Sequence, residues 1–372
     1  MSFVKINHEN IKNQEKLIPK DTNVEKNISL KLYKFAKRLR IIEEKLSQEY
    51  HPANQMKCPV HFCIGQESVP AALRLILSKK DYLFCHHRSH GYYLSKKSPL
   101  KNLVAELYGK KNGANGGLAG SQDISYENNN FFSGAILAGS IGIATGNAMA
   151  QKIEKKGGIT VVGFGESACD VGLFWESINY AFLKKLPILF ICENNNYSVF
   201  SPQKKRQAGR EIFEKVKMFG NYSEKIFGNN ISSLFKKIDS IAKSIRNNSH
   251  PFFLEVVTYR ISSHYGPDID TDIGYRDRKE VAFWKKYCPI TMLENKLINR
   301  KILTNKKIEI VRKKCIKEIE KAIIFSKKSP LPNKFEINNL HYAKEKDYKS
   351  KIVKLSTNLK NSLNSKQKII GY

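Results

Sequence analysis

One stretch constrains the fold more than any other. It is Gly158–Ser198, GITVVGFGESACDVGLFWESINYAFLKKLPILFICENNNYS. Ile159–Val162 is apolar and β-branched without alternation, the pattern of a strand buried on both faces of a parallel sheet. Gly163–Gly172 supplies a turn. Phe174, Ile178, Ala181 and Phe182 then fall on one helical face, and Ile188–Cys192, after Pro187, is a second apolar strand. Strand, crossover helix and strand make a βαβ unit whose loops open at the carboxyl edge of the sheet. Glu166 follows the first strand and Asn194-Asn195 follow the second. Neighbouring strand ends thus bring carboxylate and amide oxygens together, the hard ligands that Mg²⁺ takes beside phosphate. The helix N-terminus near Cys169–Gly172 faces the same edge and favours an anion.

Two other predicted strand ends carry cations and imidazoles. Tyr82–Cys85 runs into His86-His87-Arg88-Ser89-His90-Gly91, and Phe252–Tyr259 runs into Arg260 and His264. Arg grips phosphate oxygens bidentately and His donates or relays protons. Ligands of open α/β sheets bind at such carboxyl ends. Taken alone, residues 86–90 fit a chance His cluster in a solvated loop equally well.

The rest of the chain frames these segments. Residues 1–28 are polar and unpatterned, an arm; from Ser29, a candidate cap, Leu32, Phe35, Leu39, Ile42 and Leu46 mark a docking helix. His61–Ser68 is a turn into a helix over Val69–Leu77. Tyr108–Gln122 is a Gly-rich loop without the Lys-Ser/Thr of a P-loop, and no GxGxxG opens a helix elsewhere. Ala135–Ala150, with small residues on successive turns, suits a closely packed helix, and a ligand can lie against its first residues. Residues 203–210, QKKRQAGR, form a basic loop, and Ile231–Ile245 a surface helix. Tyr265–Tyr275 is an acidic loop, a lid or metal loop but no EF-hand. Ile308–Phe325 is helical, and residues 336–372 form a charged tail.

Composition removes several classes. The N-terminus has no apolar signal-peptide core, and the most membrane-like run, Ala135–Ala150, is too short and polar to span a bilayer. Seven scattered cysteines without CxxC spacing point to reduced thiols and a cytoplasmic location. The net charge of +30 invites a nucleic-acid partner. It comes mostly from Lys spread along both ends, in a chain where Asn and Ile are abundant too, so nucleic acid is the weaker reading. An acidic protein or anionic substrate suits the charge.

As a set, these residues resemble the α subunit of the E1 component of thiamin-diphosphate-dependent 2-oxo acid dehydrogenases, of the pyruvate or acetoin type. The resemblance spans about residues 30–335. The family's GDG…NN motif corresponds to Gly165-Glu166-Ser167-Ala168 and Glu193-Asn194-Asn195-Asn196-Tyr197. Gly172, Glu176, Asn179, Leu186-Pro187, Ile64–Glu67 (IGQE), the HRSHG segment, Ala105–Lys110 (AELYGK) and TYR before His264 fall in register.

The resemblance implies an α/β thiamin-diphosphate-binding fold, a mostly parallel sheet with helices on both faces, over residues 29–335. It implies Mg²⁺ held by Glu166, Asn195 and the Tyr197 carbonyl, and diphosphate contacts from Arg88, Arg260 and His87. Gly165, Ser167 and Ala168 belong to the cofactor motif, and Ala135 and Leu137 lie along the aminopyrimidine. His264 and His90 stand near the reacting centre. The implied activity is oxidative decarboxylation of a 2-oxo acid, pyruvate first, with acyl transfer to a lipoyl group. The carboxylate that activates the aminopyrimidine comes from a β subunit, giving an α₂β₂ heterotetramer served by a lipoyl-bearing E2. Alternatives are acyl or ketol transfer without a lipoyl acceptor, and a non-catalytic basic binding protein on the same fold. Four positions depart from the family pattern. Glu166 stands for Asp, Ser167 for Gly, His87 for Tyr and Ser263 for Gly.

Overall fold

The computed structural model describes residues 23–333 except 54, 55 and 57. The arm as far as residue 22 and the tail expected over 336–372 lie outside the described residues. In chain order the helices and strands are α1 (Lys26–Ala53), α2 (Ser68–Ile76), β1 (Tyr82–Cys85), α3 (His90–Ser95), α4 (Leu100–Leu107), β2 (Ser125–Tyr126), β3 (Phe131–Ser133), α5 (Gly139–Glu154), β4 (Thr160–Gly165), α6 (Gly172–Leu183) and β5 (Ile188–Asn194). A two-residue hairpin pair, β6 (Tyr197–Ser198) and β7 (Ser201–Pro202), is followed by α7 (Ile212–Val216), β8 (Ser223–Phe227), α8 (Ile231–Asn248) and β9 (Phe252–Val257). Helices α9 (Arg278–Lys286), α10 (Pro289–Asn299) and α11 (Asn305–Lys328) complete the described chain.

The main sheet has the order β2-β3-β1-β4-β5-β9-β8 and is parallel throughout except for the β2–β3 pair. The α/β architecture expected from the sequence is therefore present. Strands β1, β4, β5 and β9 are consecutive neighbours, so the segments after residues 85, 165, 194 and 257 emerge side by side at one edge.

Strand alternation sorts the core into two layers. Leu83, Val161, Leu189, Ile191, Leu254 and Val256 face one side and pack with α1, α2, α8 and α10. Phe84, Val162, Phe164, Ile188, Phe190 and Phe253 face the other and pack with α5, α6 and α7. Helix α1 docks through Leu32, Phe35, Leu39, Ile42 and Leu46, all buried. It begins at Lys26, so Ser29 is not its cap: the Ser29 hydroxyl lies inside the helix and donates to the Val24 carbonyl at 3.3 Å. Helix α5 starts at Gly139, not Ala135, and residues 135–138 form the loop before it. The turn expected from Gly163 begins only after Gly165, because β4 continues to pair with β5 through Gly165↔Glu193. Helix α8 has the two faces of a surface helix: Leu234, Ile238, Ala242 and Ile245 are buried in the core, while Lys236, Ser240 and Lys243 are exposed.

Gly163 shows why β4 carries glycine at its centre. An added Cβ would lie 2.4 Å from the Tyr92 ring carbon and hydroxyl, and that hydroxyl donates to Glu193 Oε2 at 2.5 Å. Both side chains are buried, so the ring has nowhere to retreat. Gly163→Ala is expected to destabilise the chain by about 1–3 kcal/mol through overpacking, read as a lower urea midpoint with an unchanged m-value. An unchanged midpoint would show that Tyr92 is free to move.

Candidate functional site

The four neighbouring strand ends deliver most of the residues expected there. After β1, Arg88 is 4% exposed. Its guanidinium donates to the Phe62 carbonyl and, at 3.1 Å, to the His264 carbonyl. After β9, Arg260 is buried as well and donates to the Val199 carbonyl at 3.1 Å and the Tyr275 hydroxyl at 3.0 Å. Asp270 lies 3.6 Å from Arg260 but is engaged by Arg276. The acidic loop thus spends its buried carboxylate on arginines. Burial, then the charge of Arg260, pushes Arg88 down to about 9. A guanidinium that is buried, bonded only to carbonyls among the described residues and repelled by a second guanidinium lacks a counter-anion.

Three imidazoles gather around this pair. The rings of His61 and His87 lie 4.5 Å apart, those of His61 and His264 5.0 Å, and those of His87 and His264 5.3 Å. Burial, then Arg88, lowers His61 to about 2 and His264 to about 3. His87 is lowered further, by burial and by His86 and Arg88. All three are therefore neutral at pH 7. Their folded values lie below the unfolded value near 6.5, so the unfolded chain binds more protons in acid. The stability contribution is whole above about pH 6.5 and is lost progressively below it. The denaturant midpoint is expected to fall from pH 7.5 to 5.5, before ordinary carboxylates titrate; a flat midpoint would contradict neutral imidazoles.

His90 is placed differently. It is wholly buried, with Nδ1 2.8 Å from Glu43 Oε1 and Nε2 2.9 Å from Ser121 Oγ. Both ring nitrogens are engaged. Glu43 also accepts from the Cys63 amide at 2.7 Å, and the Ser121 carbonyl accepts from Ser89 Oγ at 3.0 Å. His90 thereby ties α1 and the Gly-rich loop to the segment carrying Arg88. That loop is shaped by Glu106, whose carboxylate accepts from the amides of Asn115, Gly117 and Ala119 at 2.7–2.9 Å.

β4 ends on Gly165, which is partly exposed, and Glu166, Ser167 and Ala168 after it are buried in a 3₁₀ turn. Glu166 is 1% exposed, and its carboxylate accepts from Arg206. Burial raises its pKa and Arg206 partly offsets this. After β5, Asn195 Oδ1 accepts from the Tyr197 amide at 3.1 Å, and its Nδ2 lies 3.5 Å from Gln66 Oε1. Asn194 is structural: its Nδ2 donates to Gln203 at 2.9 Å and to Glu255 at 2.8 Å. Ala135 and Leu137 lie in the loop before α5, where the Ala135 amide donates to Asp123 Oδ1 at 2.8 Å and Leu137 is exposed.

Sequence reasoning passed over His61, Arg206 and the Tyr92–Glu193 pair. His61 carried a signal, since it heads the His61–Ser68 turn that contains IGQE. Arg206 carried none, because its partners are 36 and 40 residues away.

The model of the dehydrogenase E1 component family matches residues 34–334. The chain belongs to this family. It is similar to the pyruvate dehydrogenase E1 component subunit alpha of Rickettsia typhi, at 30% identity over 83% of this chain and 94% of the relative. That of the alga Porphyra purpurea is 30% identical over 86% and 94%. The mitochondrial one of Dictyostelium discoideum is 31% identical over 77% and 74%. E1 membership makes the chain an oxidoreductase of the 2-oxo acid dehydrogenase type and implies thiamin diphosphate as its cofactor. The buried Arg88 guanidinium fits that cofactor's diphosphate, because it has no anionic partner among the described residues, and Arg260, itself 3.6 Å from Asp270, adds a second cation beside it. Glu166 and Asn195 offer the hard oxygens that fit a cation of the Mg²⁺ class. No helix among the described residues is long and apolar enough to cross a membrane.

Proposed function

We propose that the chain is an E1 α subunit acting in the oxidative decarboxylation of a 2-oxo acid, pyruvate first, with acyl transfer to a lipoyl group of an E2 partner. Arg88 and Arg260, with His87, hold the diphosphate. Glu166, Asn195 and the Tyr197 carbonyl hold Mg²⁺, and Gly165, Ser167 and Ala168 shape the turn beneath it. The loop of Ala135 and Leu137 flanks the aminopyrimidine. Bound thiamin diphosphate supplies the carbon nucleophile and electron sink for decarboxylation. His264, neutral at pH 7, donates or accepts a hydrogen bond at the reacting atoms. His90 acts through Ser121 and Glu43 as a positioning residue. The observation that carries this reading is the buried Arg88 guanidinium at the shared strand edge, bonded only to carbonyls among the described residues, with Arg260 beside it.

The partner reading rests on an apolar face. Along α5, Ile143 and Ile153 are exposed, with Ala150 and Gly146 between them, and a Cβ added at Gly146 would meet nothing. Leu173, Tyr180 and Leu183 of α6 extend the same exposed set. Contiguous apolar surface of this kind suits a permanent subunit interface. We assign it to a β subunit that completes the site, in an α₂β₂ heterotetramer in the cytoplasm. The relatives carry the subunit designation alpha, consistent with such a partner.

Coexpressed with a β-type partner, the chain is expected to release CO₂ from pyruvate and acylate a lipoyl domain. The chain alone is expected to do neither. Turnover by the isolated chain would sink the two-subunit reading, and product formed only with an aldehyde acceptor would favour ketol transfer.

A further inference from the structure

We propose that Arg206 is the resident counter-ion of Glu166, that a divalent cation has to displace it in order to bind, and that Asp170 retains the displaced guanidinium at the site. The inference rests on the metal reading above and adds a competitor from within the chain.

Glu166 is a buried carboxylate, and an isolated buried charge is costly. Arg206 answers that charge. One guanidinium nitrogen, Nη2, donates to Glu166 Oε1, and the other, Nη1, donates to Asp170 Oδ2. The two acceptors lie at opposite ends of one 3₁₀ turn. Gln207 repeats the bridge one residue on: its Nε2 donates to the Glu166 carbonyl at 3.0 Å and to Asp170 Oδ1 at 2.7 Å. The basic segment is pinned to the other half of the site too. The Gln203 amide donates to the Asn196 carbonyl at 2.9 Å, Gln203 Nε2 donates to Gln207 at 2.8 Å, and Gln203 Oε1 accepts from Asn194. Arg206 is therefore placed by both strand ends that form the cation site, not by chance surface pairing.

The same oxygen has two claimants. A cation on Glu166 Oε1 and a guanidinium donating to that atom compete, so the free energy of the Arg206–Glu166 contact is subtracted from metal affinity. The two-pronged attachment decides where the guanidinium goes once displaced. Asp170 is more exposed than Glu166 and keeps its own bonds to Arg206 and Gln207. Release from Glu166 consequently leaves the guanidinium tethered beside an anion-binding edge instead of free in solvent.

The test titrates Mg²⁺ by calorimetry into the full chain saturated with thiamin diphosphate, and follows thermal melts with and without the metal. Arg206→Gln is expected to bind Mg²⁺ about tenfold more tightly, the factor for losing one competing charge-assisted hydrogen bond. Without metal its melting midpoint is expected to fall below wild type, because Glu166 loses its partner, and Mg²⁺ is expected to restore it. Arg206→Lys keeps the charge without the planar fork; it serves if the Gln variant folds poorly, and an intermediate affinity is expected. Mg²⁺ affinity that is unchanged or weaker in the variants would overturn the role of Arg206. Thiamin diphosphate binding with no Mg²⁺ uptake by either protein would instead overturn the metal reading on which it rests.

Discussion

Arg88→Met is expected to weaken thiamin diphosphate binding about a hundredfold or more, while leaving the cofactor-free chain within about 1 kcal/mol of wild type. The two halves of this result have different causes. Two charge-assisted hydrogen bonds to a diphosphate are worth about 3 kcal/mol or more together, and Met supplies neither. In the absence of cofactor the same change removes a buried charge that burial and Arg260 already push toward neutrality. The Phe62 and His264 carbonyls lose a donor, which offsets that gain. Calorimetric titration with thiamin diphosphate and a urea midpoint on the same preparation separate the halves. Intact affinity would remove Arg88 from the diphosphate site. A collapse in stability would make it a structural cation.

Glu166→Ala is expected to lower Mg²⁺ affinity about a hundredfold, whereas Glu166→Asp keeps or strengthens it. A carboxylate is the one charged oxygen donor among Glu166, Asn195 and the Tyr197 carbonyl, and Mg²⁺ is strict about geometry. Asp restores the shorter side chain that the family motif carries at this position. It also withdraws the carboxylate from Arg206, which now reaches it directly. The Ala variant removes a ligand and Arg206→Gln removes a competitor, so the two changes move metal affinity in opposite directions. Calorimetry with Mg²⁺ in the presence of thiamin diphosphate reads both. Metal affinity unchanged in Glu166→Ala would mean that this carboxylate is no ligand and that the cation site must be redrawn.

The parallel core was legible because its chemistry is local. Ile159–Val162 and Ile188–Cys192 are apolar on both faces, and only a sheet covered on both sides buries such runs. The site was legible in outline because each strand ends in a segment whose residue types suit phosphate or metal. Sequence order did not announce that β1, β4, β5 and β9 are adjacent; the topology makes four separate segments one edge. The misses are tertiary. Ser29 looked like a cap because Ser commonly caps helices, yet α1 has a further turn before it. Gly163 looked like the start of a turn, but it is a gap for the Tyr92 ring, which lies far away in sequence. His90 was expected near the reacting centre with His264, whereas Glu43 and Ser121 occupy both its nitrogens. Arg206 sat in a run read only as basic, and nothing local ties it to Glu166.

The departures from the family motif acquire physical context from the same contacts. Glu166 in place of Asp reaches Arg206, and Ser167 in place of Gly sits buried in the 3₁₀ turn. His87 in place of Tyr completes a trio of neutral imidazoles with His61 and His264.

The central claim is that one sheet edge holds a diphosphate between Arg88 and Arg260 and a divalent cation on Glu166 and Asn195. A crystal structure of the full chain with thiamin diphosphate and Mg²⁺ tests it most directly. Diphosphate density is expected against both guanidiniums, with a cation on Glu166 Oε1 and Arg206 turned from Glu166 but still bonded to Asp170. Diphosphate bound elsewhere, or an Arg206–Glu166 pair intact beside a bound cofactor and metal, would contradict it.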